Sequence, residues 1–297
     1  MSILRRIFSI IVSLLLIEII AASAVRLLPG DPVENLLNEF GSDLSREVLR
    51  KDLHLDQPWY TASLSAIGRV LSGNWELSLY SRQPVQETVL TAWKSTFELA
   101  LPSAAIALAL ALSLGTISAL NSSSATYKFT SLYGAITAAI PSLWVAPISI
   151  LVFAVWIPIF EVTGSTLLPA LVLGTSFSGT WARLIRERIR ESLLQDHARA
   201  ALARGVPQVR WLLKSGLLPV SGALVSYFLA QLGHIFAGAF VIEVIFNRAG
   251  LGTLFIEGIL RRDYPVIEAA TFASSATCLI FTHLGAQTQK WLDPRLS

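Results

Sequence analysis

The sequence predicts an all-α polytopic membrane protein that crosses the bilayer six times. Three observations lead there. Of the 297 residues, 53% are hydrophobic and 14% charged, and the mean hydropathy is +0.59, too apolar for a soluble domain of this size. Apolar runs recur that can cross a hydrocarbon core of ~30 Å at ~1.5 Å per helical residue. Basic residues gather beside alternate runs, which assigns one side to the cytoplasm by the positive-inside bias.

Residues 1–28 form the first transmembrane helix. Arg5 and Arg6 precede the apolar run Ile7 to Leu28, which is long enough to span and is followed by further spans. It therefore reads as a retained helix starting on the cytoplasmic side, not a cleaved signal. Glu18 lies within it and is expected away from lipid, in the bundle interior or a polar cavity, because an ionised carboxylate in hydrocarbon is costly. A protonated packing residue with no transport role is the alternative.

Pro29, Gly30, Asp31 and Pro32 stop that helix with turn chemistry. Residues 29–95 then become mixed and polar, and read as an extracytoplasmic cap of short amphipathic helices. Helical patterns run from Asp43 to Asp52 and from Trp59 to Leu71, the second ended by Ser72 and Gly73. Trp59, Tyr60, Trp75 and Trp93 suit either an interfacial aromatic belt or the cap's own core.

Residues 96–290 hold the five-helix transmembrane core. Span two is Thr96 to Leu120, with Glu98 near its entrance and small packing residues through its middle. After a turn at Asn121 to Lys128, span three runs from Phe129 to about Phe160, interrupted by Pro141, Pro147 and Pro158. Such breaks either line a pathway or only shape packing. A short external turn at Glu161 to Ser165 leads into span four, Thr166 to Trp181. That helix continues beyond the hydrocarbon with Arg183, Arg186, Arg188 and Arg190, the strongest positive-inside signal in the chain. Span five lies within Trp211 to Phe246, where Gln231 and His234, three apart, share a helix face. An external loop from Asn247 to Pro265 precedes span six, Val266 to about Leu284, and residues 291–297 form a cytoplasmic tail. Six spans bring both termini to the cytoplasm.

The net charge of +3 does not indicate nucleic acid, since the basic groups flank apolar runs and form no polybasic tail. The single cysteine, Cys278, lies in an apolar run. It allows no intramolecular disulfide and no thiolate cluster for zinc, and is expected to be a small buried side chain. The chain has no phosphate-binding loop of the G-x-x-x-x-G-K-[S/T] type, so ATPase activity is not expected of it. His54, His197, His234 and His283 are dispersed. Neither Asp196 with His197 nor His234 with Glu243 comes with a nucleophile in arguable reach. No catalytic residue, cofactor or metal is assigned to this chain.

The stretch between spans four and five is different. From Asp196 to Val206, Ala198, Ala200, Ala201 and Ala203 permit a short helix with close backbone approach, and Gly205-Val-Pro207 ends it sharply. Arg199 and Arg204 can project to a partner or to anionic headgroups. Joined rigidly to span five, such a helix would transmit a push into the bundle; taken alone, the segment also reads as a plain surface loop.

In position and spacing this segment resembles the cytoplasmic loop of ATP-binding-cassette importer permeases, in their peptide and nickel branch. The family's Glu-Ala-Ala is here Arg199-Ala200-Ala201, and Gly205 keeps its spacing. Further motifs follow in family order: Arg26-Leu-Leu-Pro-Gly-Asp-Pro-Val33, Leu53-His-Leu-Asp-Gln-Pro58, Leu71-Ser-Gly-Asn74, Thr96-Phe-Glu-Leu99, Ile140-Pro-Ser-Leu-Trp144, Gly250-Leu-Gly252, Asp263-Tyr-Pro-Val266 and Leu292-Asp-Pro-Arg-Leu296. Each is weak alone; together they cover nearly the whole chain. The sequence departs from the pattern at Lys94-Ser95, where a proline often precedes the threonine of span two. It departs again at Ala223, where the family often keeps a proline, and in the short 161–165 connection.

The resemblance implies a permease subunit in the bacterial inner membrane. It would pair with a second homologous permease, dock two cytoplasmic ATPases that bind ATP and Mg, and receive cargo from an extracytoplasmic solute-binding protein. Asp196, Arg199, Ala200, Ala201, Arg204 and Gly205 would form the coupling contact with the ATPases. Glu98, Gln231, His234 and Glu243 are candidate pathway residues; for each, an interhelical hydrogen bond unrelated to cargo is the alternative. Di- or oligopeptide is the first choice of cargo and a nickel or other metal chelate the second; a secondary transporter needing no ATPase is a more distant reading.

Overall fold

The computed structural model describes residues 3–27, 33, 34, 37, 46, 47, 50, 58–121, 125–161 and 164–292. The expected helix at Asp43 to Asp52 falls almost wholly outside them, as do Pro29 to Pro32, the Leu53 to Gln57 motif residues and the last five residues. Among the described residues the regular structure is helical, apart from one isolated bridge between Leu77 and Pro84.

The eleven helices are α1 (Ile3–Leu27), α2 (Trp59–Ser72), α3 (Val85–Leu120), α4 (Ala125–Ala139), α5 (Ser142–Ile150), α6 (Leu167–Leu193), α7 (Asp196–Ala203), α8 (Gln208–Trp211), α9 (Leu218–Ile245), α10 (Leu251–Arg261) and α11 (Tyr264–Leu292). Two π-helical segments, Leu151–Trp156 and Leu212–Gly216, follow α5 and α8.

Among the described residues, three helices are long and apolar enough to cross a membrane: Val85–Leu120, Ser221–Ile245 and Tyr264–Leu292. The pair Ala125–Ala139 and Ser142–Trp156, bent by 98°, makes a fourth if it is one broken span. The bend falls at Pro141, which starts α5 in an extended conformation. Pro147 sits inside α5, and π-type bonding follows it; a proline that removes one helical bond is commonly accommodated by such a register change. Helix α1 contains a shorter apolar stretch, Phe8–Ala24. Helix α6 has the length but carries Gly174, Thr175, Ser176, Ser178, Gly179 and Thr180 through its middle. Gly174, Ser178 and Gly179 are buried by neighbouring helices, so hydropathy understates how well the segment tolerates an apolar surround. Large apolar side chains such as Leu101, Leu132, Ile136, Trp144 and Trp156 are exposed, as suits a surface solvated by lipid.

The chain divides into two compact units. The first comprises residues 1–96 and 248–279 and packs α1 against α2. Its interior is held by ions. At the end of α1, the Arg26 guanidinium donates to Glu268 at 2.7 Å and lies 5.2 Å from the centre of the Tyr264 ring. Arg69 on α2 reaches Glu76 at 3.0 Å and the other Glu268 oxygen at 3.7 Å. Helix α2 stops at Gly73, whose φ of +77° ends it. The turn beyond carries Ser78, whose hydroxyl donates to Asp263 at 2.5 Å. Burial pushes the Asp263 carboxyl above the ordinary carboxylate range, opposed by Ser78 and by the amides of Leu79, Val266 and Tyr80. Trp75 donates to the Val70 carbonyl at 3.0 Å and meets Phe272 edge-on, while Trp93, more exposed, donates to Thr277. Glu18 is 3% exposed and lines a cavity of about 40 Å³ with Ile67, Val70 and Phe272.

The second unit comprises residues 97–247 and 280–297. Here helices meet through small residues. Helix α6 packs on α4 and α9, and a Cβ added at Gly115 would stand 2.7 Å from the Ala182 carbonyl oxygen; at Gly174 it would meet that of Ser103 at the same distance. A Cβ on Gly285 would stand 2.6 Å from backbone atoms of Ser226 and Ala230. Phe97, Phe236 and Phe281 form an aromatic cluster, with centroids 4.2 Å apart for the first pair. Cys278, in the first unit, is half-buried.

Candidate functional site

The segment singled out by composition forms α7, whose first turn carries Asp196, favourable at the positive end of the helix dipole. Its C-terminus closes with a two-bond cap. The Gly205 N–H donates to the Leu202 carbonyl at 2.9 Å and the Val206 N–H to that of Ala201 at 3.2 Å, the Schellman arrangement. It requires a left-handed residue, and Gly205 has φ +81°. A Cβ there would meet nothing within 4 Å, so glycine is needed for backbone conformation and not for room.

The helix has two faces. Ala198 and Ala201 are buried, at 0% and 7% exposure, and Leu202 is half-buried. Asp196, Arg199, Ala200, Arg204 and Gly205 are exposed. Of the six predicted contact residues, five are thus presented outward, and Ala201 instead seats the helix. Beside the helix, Trp211, 4% exposed, lies with its ring 5.7 Å from that of His197. From Trp211 the π segment leads into α9, tied to α6 by the Ser192 hydroxyl donating to the Gly216 carbonyl at 3.0 Å. An outward-facing helix is in this way joined to both α6 and α9.

The four candidate pathway residues are not brought to one point by any contact described. Glu98 and His234 are exposed, Gln231 is half-buried and Glu243 is fully buried. Gln231 has found a specific neighbour, hydrogen-bonding the Tyr227 side chain one turn earlier on α9. Among the described residues, no three of His, Cys, Asp and Glu stand together in a way that could hold a metal ion.

Sequence reading did not single out the Arg26, Glu268, Arg69 and Glu76 network. One signal was present: Glu268 lies near the start of a long apolar helix, where an ionisable residue calls for a named partner. The partner is 242 residues away in sequence, and nothing local points to it.

Helices long and apolar enough to cross a membrane thus occur together with one short, outward-facing helix between α6 and α9. Residues 111–297 match the family described as the binding-protein-dependent transport system inner membrane component, and the chain belongs to that family. It is a permease of the ATP-binding-cassette importer class, in the peptide and nickel branch, and not itself an enzyme. Among its relatives is the oligopeptide transport system permease protein AppB of Bacillus subtilis (strain 168), 30% identical, with 99% of this chain and 98% of the relative aligned. Another is the glutathione transport system permease protein GsiC of Escherichia coli (strain K12), 28% identical over 90% of this chain and 89% of the relative.

Proposed function

We propose that this chain is one of two homologous permease subunits that import di- or oligopeptides, with α7 as the helix that couples it to the ATPases. The carrying observation is the construction of α7: a charged outer face of Asp196, Arg199 and Arg204, a glycine-capped end, a buried inner face of Ala198 and Ala201, and a covalent and hydrogen-bonded route through the segment after Trp211 into α6 and α9. A helix held this way moves as a body with the bundle. A partner with different affinity for its two positions would then shift the equilibrium between them.

The peptide assignment draws on AppB and GsiC, since glutathione is itself a tripeptide. In this reading α1, α3, the bent α4 and α5 pair, α6, α9 and α11 are the six spans. Both termini and α7 face the cytoplasm, where two ATPases binding ATP and Mg dock. Residues 29–95 face outward, where a solute-binding protein delivers cargo. Glu98, Gln231, His234 and Glu243 remain candidates for the path.

The test is uptake of labelled peptides by proteoliposomes holding the whole complex. ATP-dependent import is expected with the wild type. Reversing charge in Arg199→Glu with Arg204→Glu should lower import at least ten-fold and weaken ATPase retention during purification. Full import and full retention in that double variant would remove α7 from the coupling role.

A further inference from the structure

A second site lies in the second unit. A cleft of about 340 Å³ opens between α6, α9 and the end of α11, lined by Leu184, Arg188, Tyr227, Ala230, Thr282 and Gly285 among others. That volume is in the range of small-ligand sites. Its back wall is close-packed, because Gly285 lies against the α9 backbone at Ser226 and Ala230. One turn before Leu184 on α6, Trp181 is 1% exposed and packs against Tyr227 and Phe228, so an aromatic cluster adjoins the cleft.

The polar groups in it are unequal. Tyr227 hydrogen-bonds the Gln231 side chain one turn on and lines the cleft together with Arg188. Arg188 is paired with Glu191 at 3.1 Å, side chains 45% and 62% exposed. So exposed a pair contributes only ~0–1 kcal/mol, and an incoming carboxylate offering two oxygens to the guanidinium can displace it. Glu191, outside the cleft lining, then competes for the same guanidinium.

Resting on the peptide reading above, we infer that this cleft is an inner subsite for the C-terminal carboxylate of the imported peptide, held by Arg188 and Tyr227 with Glu191 as the internal competitor. A free carboxylate is common to oligopeptides and glutathione, so one site serves cargo that differs in side chains.

The test uses the full complex in lipid nanodiscs without the solute-binding protein, probed with tritiated tri-alanine. Saturable binding is expected, displaced by unlabelled tri-alanine and at least ten-fold less well by its C-terminal amide. Arg188→Gln should weaken binding at least ten-fold and Tyr227→Phe several-fold, whereas Glu191→Gln should strengthen it. Arg188→Lys, which keeps charge but not the two-pronged donor, should fall between and serves if the glutamine variant does not assemble. Equal displacement by the amide, unchanged binding in the Arg188 variants, or weaker binding in Glu191→Gln would overturn the inference. Discs of phosphatidylcholine alone should behave like discs containing phosphatidylglycerol; carboxylate discrimination that changes with the anionic lipid would assign the cleft to a headgroup. Import by proteoliposomes of the same complex is measured in parallel. Import without carboxylate-dependent binding rejects the subsite and leaves the peptide reading standing, while no import of any peptide tried rejects the reading itself.

Discussion

The two units of the molecule are held together by opposite means. The first relies on charge: Arg26, Glu268, Arg69 and Glu76 form a chain of ion pairs, one of them, Arg26 with Glu268, between side chains both less than 10% exposed, and Asp263 clasps the Ser78 turn beside it. The second relies on the absence of side chains, with Gly115, Gly174, Gly179 and Gly285 letting backbones approach. The difference follows from what each strategy can fix. Small-residue contacts give dense packing between helices without a net hydrophobic drive in lipid. Ion pairs fix one partner and one orientation, which suits a unit assembled from segments as distant in sequence as α1 and α11.

If that contrast is right, the largest effect comes from Glu268→Ala. It leaves the buried Arg26 guanidinium without its carboxylate, while Arg69 keeps Glu76, and should cost the first unit ~3–5 kcal/mol. Limited proteolysis of the purified chain would read this as early cleavage within residues 1–96 while residues 97–247 stay protected. Glu268→Gln, which still accepts from Arg26, should cost clearly less. Equal resistance of all three proteins would show that the ion network is incidental to the first unit.

The matching change in the second unit is Gly174→Val, which forces a side chain into a gap where the Ser103 carbonyl oxygen already lies 2.7 Å from a bare Cβ. Because the obstacle is backbone, relief requires α3 and α6 to separate, at ~1–3 kcal/mol or more. Protection should now fail within residues 97–247 and persist in the first unit. Failure of both units together in either variant would mean that they unfold as one and that the contrast has no energetic meaning.

The sequence exposes these two strategies unequally. Glycine at a helix crossing leaves a local trace, and so does the stop of α7 at Gly205, because backbone conformation is set within a few residues. The break at Pro141 and the run of α6 past Trp181 into its arginines are legible for the same reason. Other features depend on neighbours far away. Helix α3 starts at Val85, within a stretch whose Gln86, Glu87 and Thr88 read as polar cap, since a helix surface in water and a loop have similar composition. Helix α10 lies inside what reads as a loop. In α7 the outward turn of Ala200 and the inward turn of Ala201 are set by Trp211 and the adjoining helices, and two adjacent alanines carry no signal to tell them apart. The pairing of Arg26 with Glu268 is the extreme case.

A smaller effect is expected at Asp263. Its carboxyl is pushed up by burial, so the protonated form is the one the fold favours. The corresponding stability is fully present below the ordinary carboxylate pKa and is lost as pH rises through the raised folded value. Thermal unfolding of the purified chain from acid to neutral pH should therefore show a slope that Asp263→Asn reduces while leaving the acid end little changed. An identical slope in the variant would place the pH dependence elsewhere.

The smallest effect has the opposite sign and separates packing glycines from idle ones. Gly68 lies mid-way along α2 in the first unit, and a Cβ there would meet nothing within 4 Å. Gly68→Ala removes backbone freedom from the unfolded chain and improves helix propensity, a gain of ~0.5–1 kcal/mol. The melting temperature should rise slightly, where the bulkier change at Gly174 lowers it. A fall on adding one methyl group at Gly68 would mean that another surface of this assembly packs on α2. The first unit would then also depend on close backbone approach, as the second does.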